Sequence, residues 1–472
     1  MKKAALLFLL LIPVVWAGLT WLSSDKTELI FDNMLAQSEY TSTMIHSNQK
    51  TTFEKGFLNS SATSEMMINI QNNLIKVPLK HKIYHGPIML TPNGLKYGAS
   101  YILTKLDMSK IASKQKAILT TIFMDKEPFV QGVKFNFGSG VDMEQAIAPV
   151  QFDRTILNAL SERSKRSKSS LNILLEDGIH STFITNLDNS ALSGVVEIGQ
   201  FTVTAFTKNN DPIEIHLSPS TSHIQMDEIY KGNMLSGEFK WYLPNLNVSV
   251  DLNELISTKG LLIKGSSATE NALFSSDFLV KADSFIIHAP LVPEKLSKMS
   301  LIFHSKLYGF NANGLKPFLD TFMKVAESES DDIKQPTEAQ KTLLISQLKD
   351  LIQTNSGVSQ IIEINTDQGG FKLEFDLHYA SKQPLKELAS TEDIFKALKG
   401  TLTLHQDKNM ISGTILESLF AFPMVSRFLQ SSDQTLQSKI TLENGLLTIN
   451  DQESISVLNL FDSAFPKTAD PL

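Results

Sequence analysis

The chain has 472 residues with 50 acidic and 43 basic side chains, and its formal net charge of -7 offers no general attraction to nucleic acid or anionic lipid. It has no cysteine, which excludes disulfides, thiolate metal sites, a cysteine nucleophile and a lipidated N-terminal cysteine together. The 42% hydrophobic and 20% charged fractions belong to a folded globular chain, long enough to bury a core without cross-links.

Lys2 and Lys3 lead into an uncharged apolar run from Ala4 to Leu22. At about 1.5 Å per helical residue this run reaches ~28 Å, the thickness of a bilayer's hydrocarbon core. A cleaved signal peptide competes, since Val15-Trp16-Ala17 is a passable cleavage site. The apolar character continues past it through Leu19, Trp21 and Leu22, which favours a retained anchor. Pro13 is compatible with a membrane helix, and Trp16 and Trp21 suit its outer end, where indole rings settle at the interface. The basic residues precede the span, whereas Asp25, Glu28 and Asp32 follow it around a single Lys26. By the positive-inside rule residues 1-3 form a cytoplasmic stub, residues 4-22 cross the membrane once, and the rest lies outside the cytoplasm.

Beyond the span, Leu29, Ile30, Met34 and Leu35 recur near helical spacing and predict a juxtamembrane helix from Asp25 to His46, within a connecting region 23-50. Phe53 to Ile70 turns strand-like around Gly56. Val77 to Leu90 reads as a strand ended by His85-Gly86-Pro87, because proline cannot donate to a sheet ladder.

Phe53-Glu54-Lys55-Gly56-Phe57 with Ser60 and Ala62, followed by His85-Gly86-Pro87, resembles the opening of the YdgA-like family, envelope proteins of Gram-negative bacteria grouped as a domain of unknown function. Further matches lie at Lys306 to Phe322, a strand running through Gly309 into an amphipathic helix, and at Leu436 to Phe461, a hairpin about Asn444-Gly445 with a short helix after it. The motifs are short, but they spread over nearly all of the chain. The resemblance implies attachment to the inner membrane and a periplasmic body over residues 51-472, and it carries no catalytic residues. Gly56, His85, Gly86, Pro87, Asn444 and Gly445 are its pattern positions, with structural roles.

The middle of the chain reads as many strands. Phe371, Leu373, Phe375, Leu377 and Tyr379 alternate with Lys372, Glu374, Asp376 and His378, which predicts a strand with one apolar and one wet face. Phe201-Val203-Ala205, Leu301-Phe303-Leu307, Leu402-Leu404 and Ile440-Leu442 with Leu447-Ile449 repeat the signal, and Asn444-Gly445 tolerates the positive φ angles of a tight turn. Two helices interrupt the strands. One carries Leu315, Phe318, Leu319, Phe322 and Val325; the other carries Leu344, Leu348, Leu351 and Ile352 and opens on Thr337 with Gln340 in capping-box spacing. The acidic stretch Glu327 to Asp332 between them is read as a solvated loop, and a division of the body is placed near 327-336. Ser161 to Ser170, with Arg163, Lys165, Arg166 and Lys168, is read as a solvated basic loop without the interleaved aromatics of a nucleic-acid site. The expected class is therefore α+β: an N-terminal transmembrane helix, then a β-rich body of long twisted antiparallel sheet with a few packed amphipathic helices.

Chemistry is sparse. The chain has no His-Glu-x-x-His, P-loop, Gly-x-Ser-x-Gly or calcium-loop motif. His81 and His85 share a strand face at a separation of ~13 Å, too far to hold one metal ion, and His85 is read as satisfying backbone groups beside the Gly-Pro turn. His378 and His405 fall on the polar side of their strands and are expected in solvent. Asp331-Asp332 sits in the acidic loop, and Asp277 and Asp283 are read as bracketing a strand. No catalytic residue, cofactor or metal is expected. The membrane contacts residues 4-22, and the further partners are lipid or another envelope protein, with no nucleic acid. Three functions stay open: a non-catalytic structural or partner-binding envelope protein, which is placed first; lipid or acyl-chain binding and transfer along an apolar sheet face, with Phe371, Leu373, Phe375, Leu377 and Tyr379 as its candidate residues; and an envelope hydrolase whose site is assembled from distant residues.

Overall fold

Alternating β-branched and polar residues, punctuated by Asn, Asp and Gly at positive φ, leave little of this chain free to be helical. The computed structural model describes all residues except 1, 42-44, 71-72, 154-155, 157-170, 189, 207-210, 231-232, 252, 289-291, 329-337, 389, 427 and 459-472. Within the N-terminal helix the side chains of residues 2-15 and 36-41 also lie outside that set. The expected basic loop 161-170, Asp331-Asp332, the Thr337 cap, most of the division at 327-336 and the end of the C-terminal short helix therefore fall outside the described residues. The architecture is mostly β, long antiparallel sheet with few helices, rather than an even mixture of the two. Contacts divide the chain into two compact units, Met1–Met234 with Leu246–Asn253, and Leu235–Asn245 with Glu254–Leu472.

Unit 1 opens with helix α1, Lys2–Thr41, which runs unbroken past Pro13 and Leu22. Among the described residues no helix is long and apolar enough to cross a membrane; the side chains of Ala4 to Val15, most of the predicted span, lie outside them. The helix stops at Thr41, and β1 (Ile45–Glu54) already occupies positions expected to be helical. The reason is pairing: Asn48 to Lys50 lie opposite Met66 to Ser64 of β2 (Asn59–Ile70) and, past a bulge at Thr51, Thr52 to Glu54 lie opposite Thr63 to Ser61, where Thr52 and Phe53 favour the pleat. The meander continues through β3 (Asn73–His85), past the hairpin β4 (Ile88–Thr91) and β5 (Gly94–Tyr97), to β6 (Ser100–Leu106), β7 (Phe129–Phe135) and β8 (Gly140–Ile147).

One face of α1 lies on this sheet. Among its described side chains the buried ones are Thr20, Ser24, Thr27, Phe31 and Leu35, a single helical stripe. Leu29, one of the apolar residues at helical spacing, is exposed. Phe31 and Leu35 meet Ala62, Ile83, Ile102, Val133, Phe135 and Val141, so the core of unit 1 is the seam between helix and sheet. Fully burying a side chain such as Phe31 contributes about 2–3 kcal/mol. Past β8 the unit keeps pairing strand on strand, with Ile173 opposite both Phe152 and Val203, Val203 opposite Ile215, and Ile215 opposite Val248.

Unit 2 is a plain meander. Asn253–Glu270, Leu273–Ile287, Lys298–Asn311, Gly357–Thr366, Gly369–Tyr379, Leu398–Asp407, Thr435–Glu443 and Leu446–Ile449 pair in that order, each antiparallel to the next. The helices Ala312–Ser328 and Glu338–Leu351 are inserted after the strand that runs through Gly309, as the sequence predicts. Asp277 and Asp283 do not bracket a strand; both lie inside Leu273–Ile287.

Asn444 (φ 51°) and Gly445 (φ 75°) turn the last long hairpin, holding Glu443 opposite Leu446. A Cβ on Gly445 would first meet Lys396 Cγ at 3.4 Å, so the glycine is required by its backbone angle rather than by lack of space. Gly445→Val is expected to cost about 1–2 kcal/mol, because a β-branched residue resists positive φ. Hydrogen exchange across Thr435–Glu443 and Leu446–Ile449 checks this, with faster exchange confined to that hairpin as the expected result.

Candidate functional site

The residues with the most organised polar chemistry lie between α1 and the sheet. On β3, His81, Ile83 and His85 point to one side by strand alternation, and Ser60, Ala62 and Ser64 of β2 share that side, Ala62 opposite His81 and Ser60 opposite Ile83. Both histidines are buried beneath the helix.

His85 is the centre of a directed chain of hydrogen bonds. The Gly56 N–H donates to Ser60 Oγ at 3.1 Å, and Ser60 Oγ lies 2.9 Å from His85 Nε2. On the other edge of the ring, Nδ1 lies 3.0 Å from Thr27 Oγ1, whose own proton goes to the Ser23 carbonyl at 2.5 Å. These partners assign the proton positions: Ser60 donates to Nε2, and Nδ1–H donates to Thr27. Burial, with a smaller contribution from the positive Lys55, pushes His85 down to about 4, so the ring is neutral at neutral pH. His81 repeats the arrangement two pleat repeats away, with Ser64 Oγ 2.9 Å from Nε2, Thr104 Oγ1 2.9 Å from Nδ1 and the Phe31 ring edge-on at 4.7 Å. Burial lowers it to about 4 as well.

The reading of His85 as a partner for backbone groups is thereby corrected: its ring bonds two hydroxyls, one from the helix and one from β2. Only its own backbone N–H turns to a carbonyl, that of Leu58, at 3.0 Å. Gly56 joins the same network twice, since Ser24 Oγ on α1 donates to its carbonyl at 2.9 Å while its N–H serves Ser60. A Cβ there would fall 2.2 Å from the Asn59 carbonyl oxygen. Gly86 donates its N–H to Ala99 O at 2.8 Å, and a Cβ on it would fall 1.7 Å from Gly98 O; the Gly86–Pro87 peptide is cis. Four of the six pattern positions are thus brought to one place, whereas Asn444 and Gly445 turn a hairpin in unit 2. The partners Thr27, Thr104 and Ser64 were missed by sequence reasoning. The available signal was the alternation of small and hydroxyl residues at 60, 62 and 64 beside histidines at 81 and 85.

Ser60 and His85 have the spacing of a nucleophile and its base. Two facts remove that chemistry. Ser60 is only 1% exposed, so no substrate carbonyl reaches it, and the third member is a threonine hydroxyl that cannot stabilise an imidazolium as a carboxylate does. What the arrangement does is fix α1 to the sheet.

The remaining candidates are scattered. His378 is half-buried, with Nδ1 3.1 Å from Asp376 Oδ1, rather than fully in solvent, and His405 Nε2 lies 3.5 Å from Asp407 Oδ1. Asp277 accepts from His304 Nε2 at 2.8 Å and pairs with Lys306 at 3.4 Å on a partly exposed face. Among the described residues no group of three or more His, Asp or Glu is placed to hold a metal ion. Phe371, Leu373, Phe375 and Leu377 are half-buried and so are the polar residues between them; of the predicted face only Tyr379 is sealed, against Leu385 and Ala397.

No curated protein and no solved structure matches the chain. A family profile described as bacterial protein of unknown function (DUF945) matches residues 1–455. With nearly its whole length covered, the chain belongs to the DUF945 family of bacterial proteins.

Proposed function

We propose that this DUF945 protein is a YdgA-like envelope protein, held in the inner membrane by residues 4-22, whose periplasmic sheet holds lipid acyl chains along an apolar face. One observation carries the reading. Directly opposed residues of antiparallel strands share a sheet face, and Val280, Phe303, Ile362, Leu373 and Leu404 are opposed in succession, an apolar row five strands wide. The next row on one side adds Leu301, Ile364 and Phe371; on the other side the next row is Ser305, Gln360 and Phe375, and Leu307, Val358 and Leu377 follow beyond it. Most of these side chains are half-buried, and Leu307 is 40% exposed. The opposite face carries Lys372, Glu374, Thr403 and Lys439, with Lys372 paired to Glu374 at 2.7 Å. An apolar surface of that breadth marks a place where something apolar binds, and tethering beside a bilayer puts acyl chains within reach.

A structural or partner-binding role would have protein covering the same rows, and a hydrolase would need a nucleophile less sealed than Ser60. Replacing Leu373 with a photo-crosslinking phenylalanine in the full-length protein in native membranes separates the readings, with the same replacement at Glu374 as the opposite-face control. Lipid adducts at 373 and none at 374 are expected. Adducts to protein alone at 373 would favour the partner-binding reading and end this one.

A further inference from the structure

The hairpin β4–β5 is built inside out for a protein in water. Ile88 is opposite Tyr97 and Leu90 opposite Leu95, so the four share a face, and they are 46%, 61%, 79% and 51% exposed respectively. The other side is already filled: Met89 is buried against Tyr101 and Leu103, and Thr91 is buried with its hydroxyl on the Gly94 carbonyl at 2.8 Å. The base is fixed by the Gly86 N–H on Ala99 O and the Gly98 N–H on Pro87 O at 3.2 Å. This is a held platform presenting four large apolar side chains.

Its position follows from how α1 lies on β3. Phe31 meets His81, Thr27 meets His85 four residues further along the strand, and Ser24 meets Gly56 beyond it. Moving toward the N-terminus of α1 is therefore moving toward the end of β3 from which the hairpin leaves. At that end Thr20 is fully buried and Trp16 and Ala17 are half-buried, while Leu19, Trp21 and Leu22 are exposed on the other side of the helix. These positions belong to the apolar run 4-22, so one side of the end of that run is covered while the other stays exposed. A span needs about twenty residues. If the run crosses the bilayer, this end of unit 1 must sit at the lipid surface, and Phe57 and Leu58, next to Gly56, are exposed there too.

We propose that the β4–β5 hairpin, together with Phe57 and Leu58, is seated in the interface of the periplasmic leaflet of the membrane that holds α1. The occupant of the apolar face is the lipid bilayer itself. The inference rests on the anchoring reading above and adds a second contact to it, one that fixes the tilt of unit 1 on the membrane. Tyr97 suits that depth, with an apolar ring and a polar hydroxyl.

The absence of native cysteine makes single labels unambiguous. The full-length chain with Leu90→Cys, Leu10→Cys or Ser193→Cys is labelled with an environment-sensitive fluorophore and reconstituted into phosphatidylethanolamine/phosphatidylglycerol vesicles containing spin-labelled quencher lipids. The label at 90 is expected to lose most of its emission to shallow quenchers and the label at 10 to deep ones, while the label on exposed Ser193 keeps its emission. A quenched label at 10 with an unquenched one at 90 overturns the hairpin's seat and leaves the anchor standing. An unquenched label at 10 removes the anchor and the seat with it. Protection of position 90 by a co-purifying protein, seen as quenching that appears only after the protein is stripped away, also overturns the proposal.

Discussion

His85→Ala is expected to loosen α1 from unit 1 at a cost of about 2–4 kcal/mol. The substitution removes a buried ring and leaves the Ser60 hydroxyl and Thr27 Oγ1 facing a cavity without their shared partner, so lost packing and unmet hydrogen bonds act together. Its signature is local. Hydrogen exchange across residues 20–35 and 59–70 should accelerate by about 30- to 1,000-fold, while the strands of unit 2 keep their rates. A neutral outcome, with residues 20–35 as protected as in the native chain, would show that the apolar seam around Phe31 holds the helix without the histidine.

Acid is expected to have a still larger effect, because two neutral imidazoles lie under the same helix. Both histidines titrate at about 4 in the folded protein, against 6.5 when free. Between those values the unfolded chain takes up protons that the folded one refuses. The stabilisation is thus complete above pH 6.5, falls as the pH drops toward 4, and changes no further below that through these groups. A fall from 6.5 to about 4 corresponds to about 3 kcal/mol for one fully sealed imidazole and to less where solvent reaches the ring, so the pair makes a substantial part of the stability of this seam pH-dependent. Protection of residues 20–35 followed from pH 7.5 to 4.5 should decline steeply. In His81→Gln/His85→Gln the decline between pH 6.5 and 5 should flatten, and an unchanged slope there would place the acid sensitivity elsewhere.

The sequence carried those features whose cause is local. His85-Gly86-Pro87 ends a strand because proline has no N–H to give, and Asn444-Gly445 turns a hairpin because both residues tolerate positive φ; each depends on nothing beyond its own neighbourhood. Strand texture from Phe371 to Tyr379 is legible for the same reason. The depth to which those side chains are covered is not, because it is decided by Ile362 and Leu404 on neighbouring strands and by what lies above them. Hydropathy alone does not mark the packed face of the helix. Leu29 looks like a core residue and Thr27 does not, yet Thr27 is buried because a histidine 58 positions later supplies its hydrogen bond. Ser60 likewise stands 25 positions from the ring it serves. A hydroxyl facing a buried imidazole is invisible to any scale that scores one residue at a time. Helix gave way to strand at Ile45 because β2 offered partners along the length of β1, with breaks in register after Ile45 and Lys50, which no local propensity could reveal.

The hydroxyls on α1 also bear on the order in which the molecule is put together. Thr20 gives its proton to the Trp16 carbonyl and Thr27 to the Ser23 carbonyl, each one turn back along the same helix. A helix synthesised before β3 can therefore wait with those donors already spent. When β3 arrives, the imidazole of His85 takes up the idle lone pair on Thr27, and no earlier bond has to break.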